Sequence, residues 1–351
     1  MSLPFEPPFA LMEAEPAETL PSGSWQYEPK WDGQRCLVFR DDERVVLQSK
    51  TGEPLERYFP ELQRAIVSLP PGRFVLDGQL LIARAGRISA RWLQEHVHPS
   101  AHRVSKLSHD EPAGFVAFDM LFDPEAGLML ERPLSERRSA LEAFATKYFA
   151  GCESLWLSPV TRSQKTAQEW LESGDSALDG VLAKKLDQPY RSGDKRAARK
   201  VPAGRTACCA VGGLRWSTSA DSAPEALLLG LYGADNLLHY VGYAGVGARA
   251  DEILRKVRPL LGDGGFTGRV PGEPSRWGGA RAGKWEPVRP ELSVEVRYGH
   301  FDGERFREGA TLRTLDGALP ARACTFEQLQ PVNDGAMLVL LAPPAVASSA
   351  G

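Results

Sequence analysis

Between two strand-like runs, residues 25–28 and 36–40, the chain reads Glu28-Pro29-Lys30-Trp31-Asp32-Gly33-Gln34-Arg35, which sets a lysine, a carboxylate, a glycine and an arginine in K-x-D-G-x-R order. A lysine attacks a phosphate only as the neutral amine, and with a free pKa of about 10.4 only a few molecules in ten thousand are neutral at pH 7. A reactive lysine therefore needs desolvation, a bound metal cation or a second positive side chain near it. Gly33 lets the backbone turn tightly and come close to a nucleotide, and Arg35 offers a planar fork for phosphate. A lysine-bearing turn between two strands reads the same way in isolation, so the motif gains meaning from the segments downstream of it.

Those segments form an ordered series. Ser49-Lys50-Thr51-Gly52 reads as the closure of a hairpin made by residues 36–40 and 45–49. Phe74-Val75-Leu76-Asp77-Gly78-Gln79-Leu80 and Phe115-Val116-Ala117-Phe118-Asp119-Met120-Leu121 lie on apolar strands. Leu178-Asp179-Gly180-Val181-Leu182-Ala183-Lys184 and then Arg199-Lys200, within a basic stretch, complete the series. In this order the segments resemble the covalent nucleotidyltransferase superfamily of polynucleotide ligases and mRNA capping enzymes. The words around Lys30 resemble the ATP-dependent DNA ligases of bacterial repair systems. Three further segments are most similar to the ligase C type: residues 98–104, residues 205–213, and residues 284–291. The resemblance covers roughly residues 4–330, and a series is far more specific than any single motif.

The resemblance implies an α+β architecture: an adenylation domain of antiparallel sheets and flanking helices at residues 1–203, followed by an OB-fold barrel at 204–330. It implies that Lys30 attacks the α-phosphate of ATP to give lysyl-AMP, that the AMP passes to the 5′-phosphate of nicked double-stranded DNA, and that the 3′-hydroxyl displaces it. Glu28 matches the reader of the adenine amino group and Phe118 the aromatic that stacks on the ring, although an aromatic on an apolar strand is commonly core. Arg35 and Lys50 match phosphate and ribose contacts, Lys184 a further nucleotide contact, and Lys200 a cation at the α-phosphate. Asp77 and Asp179 match positions expected to serve Mg2+ or Mn2+. A repair primase-polymerase is the partner that the ligase C likeness suggests.

Three positions depart from the family pattern. Gln79 and Asp179 stand where it has glutamate, and Pro202 stands where it has a second lysine. Gln79 lacks a negative charge, Asp179 reaches less far, and Pro202 removes a cation that would hold the α-phosphate. The C-terminal motif that orients pyrophosphate is matched only in part, by Phe306-Arg307 and residues 312–316. Beside an active ATP-dependent DNA ligase there therefore stand two alternatives: a degenerate ligase that binds nicked DNA or nucleotide, and a capping guanylyltransferase.

At 351 residues the chain is too long for one ordinary core. Its net charge of -3 matters less than placement: Arg191, Lys195, Arg196, Arg199, Lys200 and Arg205 lie together with Asp194 as the only acid among them, an expected phosphate-contacting stretch for DNA. Such contacts bind without reading sequence. Five scattered cysteines offer neither a disulfide framework nor paired metal knuckles, which argues against the zinc-bearing NAD-dependent ligases. His96, His98, His102 and His109 have spacing that permits a metal, but they are read as part of a polar connection after a helix ending near Val97. The start, with Pro4, Pro7 and Pro8, does not read as a signal peptide, and no apolar run is long enough to span a bilayer; a cytoplasmic, nucleoid-associated monomer is expected.

Apolar periodicity predicts helices over residues 58–69 and 134–148 in the first domain, and one over 251–261 in the second. Pro202-Ala203-Gly204 breaks the pattern and reads as a linker. Beyond it, residues 226–232 and 291–298 read as strands. Residues 331–351 are expected to form a partly disordered extension in which 336–341 could add a strand and 343–351 is too small and polar to pack.

Overall fold

The computed structural model describes residues 3–84, 87–173, 175, 177–217, 223–272, 284–299, 301, 303–307, 309–329 and 336–341. The chain divides into two compact units, Met1–Pro202 with Val332–Gly351, and Ala203–Pro331.

In chain order the first unit contains β1 (Glu15–Pro16), β2 (Trp25–Trp31), β3 (Gln34–Asp41), β4 (Arg44–Ser49), α1 (Pro60–Ser68), β5 (Arg73–Leu81), β6 (Ala83–Arg84), β7 (Arg87–Ile88), α2 (Ala90–His96) and α3 (Ala101–Asp110). It continues with β8 (Gly114–Asp123), β9 (Gly127–Leu128), α4 (Leu134–Tyr148), β10 (Leu155–Leu157), α5 (Gln164–Glu172), β11 (Leu178–Lys185) and β12 (Ala198–Pro202). One sheet runs β10-β8-β5-β3-β4, with β9 on β8, and only β10 is parallel to its neighbour. A second runs β1-β12-β11-β2 and is antiparallel except for β1. The fold is thus α+β with mostly antiparallel sheets.

The first sheet is buried on both faces, which is why its strands read as continuous apolar runs rather than alternating ones. One face packs Cys36, Val38, Leu76 and Phe115 against Leu62 and Ile66 of α1 and Leu141 and Phe144 of α4. On the other, Leu37, Phe39, Val75 and Leu121 meet Leu11, Met12 and Tyr190.

Helix α4 spans the predicted residues. The helix predicted over 58–69 instead starts as a 3-10 turn at Glu56–Tyr58 and becomes α-helical at Pro60, whose fixed φ suits a first helical position. Ser49-Lys50-Thr51-Gly52 does not close the β3–β4 hairpin. That turn lies at Asp42, with φ 53, a left-handed conformation aspartate tolerates. Residues 49–52 form the next turn, where the Gly52 N–H donates to Ser49 O at 3.1 Å.

The polar connection expected after Val97 is also corrected. Ser100 caps α3 by accepting the Arg103 N–H, placing His102 and His109 on an exposed helix. His96 is buried, each ring nitrogen 3.1 Å from a backbone oxygen, of Trp92 and of Glu111.

The predicted extra strand at 336–341 is a 3-10 segment, Ala336–Leu341. Leu341 is buried against Trp31, Leu81, Ile88, Val116, Ala177 and Leu178. Residues 343–351 lie outside the described residues.

The second unit contains β13 (Arg205–Trp216), β14 (Pro224–Tyr232), β15 (Leu238–Gly245), α6 (Ala250–Val257), β16 (Trp285–Pro287), β17 (Ser293–Tyr298) and β18 (Thr311–Thr314). The order β15-β14-β13-β17-β18 is antiparallel throughout, and β16 also pairs with β13. A parallel bridge from Ala244 on β15 to Ala310, just before β18, joins the two ends of this order into a ring. Helix α6 is shorter than predicted because Pro259 turns its end into a 3-10 segment, Arg258–Leu260. Val211, Leu229, Val241, Ile253 and Val294 fill the interior.

Candidate active site

Strand β2 ends at Trp31 and β3 begins at Gln34, so the chain must reverse over Asp32 and Gly33. The Gly33 N–H donates to Trp31 O at 3.0 Å and the Asp32 N–H to Ala177 O at 2.9 Å. A Cβ on Gly33 would stand 2.2 Å from Leu80 O and 2.5 Å from Leu81 Cδ2, so β5 can pass this close only to glycine. The buried Asp32 carboxylate accepts the N–H of Ala90, the first residue of α2, at 3.3 Å.

Lys30 lies on the strand edge of this turn and donates from Nζ to Asp179 Oδ2 at 2.6 Å. The aspartate reaches it because the β11–β2 ladder slips between Leu178 and Gly180, leaving Asp179 as the extra residue of a bulge. Gly180 takes φ 149 there, a conformation that favours glycine. Bulges re-aim a side chain in this way.

Arg35 is held differently. Its Nε donates to Asp77 Oδ1 at 2.8 Å and its Nη2 to Asp77 Oδ2 at 2.6 Å and Met12 O at 3.1 Å. The Tyr190 hydroxyl donates to the same Asp77 Oδ2 at 2.7 Å. Burial opposes the guanidinium charge, but the Asp77 carboxylate outweighs it and holds Arg35 protonated. Burial, reinforced by Asp77, pushes the Tyr190 phenol well up. With both oxygens receiving donors, Asp77 anchors Arg35.

A third group lies along β2, β11 and β8. Glu28 Oε2 is 2.7 Å from Lys184 Nζ, and Glu28 Oε1 accepts Gln26 Nε2 at 2.9 Å. Glu28 stands opposite Leu182 in the ladder. Lys184 Nζ lies 4.2 Å from the Phe118 ring centroid and Arg35 Cζ 5.0 Å from it, so one aromatic ring meets cations from both groups. Next to Phe118, the buried Asp119 forms a bidentate pair with Arg137 at 2.8 and 2.9 Å. Burial pushes the Asp119 carboxyl up, and Arg137 overcomes this to hold it below the usual range.

The basic stretch is less cationic than its sequence. Strand β1 runs parallel to β12, opposing Glu15 to Arg199 and Pro16 to Lys200, and acids of that N-terminal segment pair with it. Arg199 meets Glu15 at 3.0 Å, Lys195 meets Glu13 at 3.6 Å, and Lys50 meets the same Glu13 at 3.4 Å. Arg196 pairs with Asp194 at 3.1 Å. Arg191 is exposed and Lys200 half-buried. Pro202 ends β12 opposite Gly180, beside the bulge that carries Asp179. Gln79 Nε2 donates to Trp31 O at 2.8 Å.

Sequence reasoning missed Tyr190, Arg137 and the acids Glu13 and Glu15. Tyr190 directly precedes Arg191 in a Gln-Pro-Tyr-Arg word, and only its long-range bond to Asp77 gives it meaning. Among the described residues no three His, Cys, Asp or Glu side chains gather as a metal site, and no helix is long and apolar enough to cross a membrane.

Residues 12–201 match the family model described as ATP dependent DNA ligase domain. DNA ligase C2 of Mycolicibacterium smegmatis is 38% identical over 94% of this chain and 96% of its own length. DNA ligase C of Mycobacterium tuberculosis is likewise 38% identical, over 94% and 96%. Among solved structures, a Lig E DNA ligase superposes with TM-score 0.50 at 14% identity, covering 87% of this chain and 98% of that one, a likeness of fold. With a turn that presents Lys30 beside Asp179, an arginine clamped by Asp77, and these relatives along nearly its whole length, the chain belongs to the ATP-dependent DNA ligase family.

Proposed function

We propose that this protein seals nicks in double-stranded DNA through a lysyl-AMP intermediate formed on Lys30, and that it does so in DNA repair. The observation that carries this reading is the Lys30 turn itself, fixed by Gly33 against β5, with Lys30 Nζ 2.6 Å from Asp179 and Arg35 anchored on the same turn.

The Lys30 nitrogen attacks the α-phosphorus of ATP, a P–N bond forms and pyrophosphate leaves. AMP then moves to the 5′-phosphate at the nick, and the 3′-hydroxyl oxygen displaces it. Before the first step, Lys30 must give up its proton and its pairing with Asp179. Arg35, held by Asp77 and Tyr190, presents a pre-oriented cation to the nucleotide phosphates. Phe118 stacks on adenine, with Glu28 reading its amino group and Lys184 neutralising Glu28. Lys50 contacts the ribose, and Lys200 on β12 supplies the α-phosphate cation. Asp179 would offer a hard carboxylate oxygen to Mg2+ or Mn2+, and the ion would supply neutralisation of phosphate charge.

The ring of five strands and α6 in the second unit supports an OB-fold assignment. We assign residues 1–203 to adenylation and 204–330 to this barrel, bounds within one residue of the division between Pro202 and Ala203 and of the barrel unit's end at Pro331. Lys195, Arg196 and Arg199 contact DNA phosphates once their acids are displaced, and the exposed Arg191 adds a further contact. A monomer acting beside a repair primase-polymerase in the nucleoid fits this activity.

Incubation with α-labelled ATP and Mg2+ or Mn2+, followed by denaturing separation, tests the covalent step. Wild type carries the label and Lys30→Ala does not. An unlabelled wild type with no pre-bound AMP by mass would favour the second reading, a degenerate ligase, for which Pro202 in β12 speaks. There, Pro202→Lys would restore a cation and raise labelling about 10²-fold if that loss limits the enzyme.

A further inference from the structure

We propose that Gln79 is a positioning residue for Lys30: by donating from its side-chain amide to the Trp31 carbonyl, it fixes the turn that presents the nucleophile. The inference rests on the lysyl-AMP reading and deepens it.

Trp31 O is the acceptor on which the turn closes. It receives the Gly33 N–H at 3.0 Å and Gln79 Nε2 at 2.8 Å, so both of its lone pairs are engaged. Gln79 also packs on the turn, its Cγ lying 3.0 Å from where a Gly33 Cβ would stand. It pairs with Arg35 in the β3–β5 ladder, two residues from Asp77 and adjacent to Leu80. Strand β5 therefore grips the turn at three points: Asp77 on Arg35, the Gln79 amide on Trp31, and the Leu80 carbonyl against Gly33.

An ionised glutamate of the same size could not make the middle contact. A carboxylate has only acceptors, and it would face a carbonyl oxygen that already holds one donor, leaving oxygen against oxygen in a half-buried site. The amide is thus the side chain this turn requires. Gln79 is not a lost charge in this chain; it does different work from a glutamate at the same position.

The isosteric pair Gln79→Glu and Gln79→Met separates the two roles. Single-turnover formation of lysyl-AMP would be followed over a range of ATP and of 2′-deoxyATP concentrations. Sealing of a nick already carrying 5′-AMP, which bypasses Lys30 as nucleophile, would be measured on the same preparations. Both variants are expected to lower the maximal rate of lysyl-AMP formation by roughly 10- to 100-fold, as misplacement of a reacting group does. The half-saturating ATP concentration should barely move, and sealing of the pre-adenylylated nick should persist. Gln79→Glu forming lysyl-AMP as fast as wild type or faster would overturn the proposal, as would a change confined to discrimination between ATP and 2′-deoxyATP, which would assign Gln79 to the ribose. Equal loss of both reactions would also overturn it, since the effect would then not be specific to the turn. The wild-type arm tests the lysyl-AMP reading separately, because wild type must label and seal whatever Gln79 does.

Discussion

The interior of the first unit carries charge, and that of the second almost none. Glu28, Asp32, Asp77, Asp119, Arg137 and Lys184 are each at most 5% exposed in the first unit, whereas among the described residues of the second, Ser293 is the buried polar side chain. Charges taken from water cost several kcal/mol each unless paired, and even well-paired ones are often no more stabilising than apolar replacements. The first unit meets that cost with bidentate and shared pairs, Arg35 with Asp77 and Tyr190, Arg137 with Asp119, and Lys184 with Glu28. Its sheets are thus built around chemistry as well as stability. The second unit encloses an apolar core of β-branched, leucine, cysteine and aromatic side chains, the ordinary means of stabilising a small barrel.

The sharpest way to break this contrast is to remove the charge that reacts. Lys30→Ala should abolish labelling by α-labelled ATP while leaving the melting temperature nearly unchanged, because a partly exposed pair contributes at most about 1 kcal/mol; melting and labelling on one preparation check both. A comparable loss of stability would mean that the turn is structural. Arg137→Met should do the reverse, destabilising the first unit by about 3–5 kcal/mol in urea unfolding because it strands Asp119. Adding Asp119→Leu should recover much of that loss. Since Asp119 is held below its ordinary range, its contribution is full above its unfolded pKa of about 3.9 and disappears as pH falls through the lower folded value. Arg137→Met should therefore flatten the acid limb of the stability curve. In the second unit the matching test is a cavity: Leu229→Ala, at a fully buried position, should cost about 2–5 kcal/mol, with no pH dependence of its own and with lysyl-AMP formation retained wherever the fold persists.

The same contrast explains what the sequence disclosed. Motif segments were legible because a charged residue inside an apolar run, such as Asp77 or Asp119, is rare enough to be noticed. Helix α4 was legible through its apolar period, and β17 through its alternation of Val294, Val296 and Tyr298 with Glu295 and Arg297. Partners were not. Nothing local links Tyr190 to Asp77 or Glu15 to Arg199, since these meet through pairings over 113 and 184 positions. In the sequence Gln79 reads as a loss because its bond to Trp31 spans 48 positions and depends on an amide donor rather than on charge. The capped α3 was hidden by Pro99 and the polar residues around it, which read as a connection although Ser100 makes them a helix start.

The smallest expected effect concerns the surface where the charged first unit meets solvent. Lys195 is more than half exposed, and its partner Glu13 is shared with Lys50. Burial pushes the Glu13 carboxyl up slightly, and the two lysines outweigh this and hold it down. Lys195→Ala should change stability by less than about 1 kcal/mol, yet if Lys195 contacts a DNA phosphate it should reduce the slope of log affinity against log salt by about 0.9 on nicked duplex. Glu13→Gln acts on the same contact from the other side, releasing both lysines from a competing carboxylate, and should tighten binding at low salt. Opposite signs for the two substitutions would identify the N-terminal acids as occupants of a phosphate site. Unchanged slopes for both would leave residues 191–200 as a solvated, self-neutralised surface and confine the functional charge of the protein to its interior pairs.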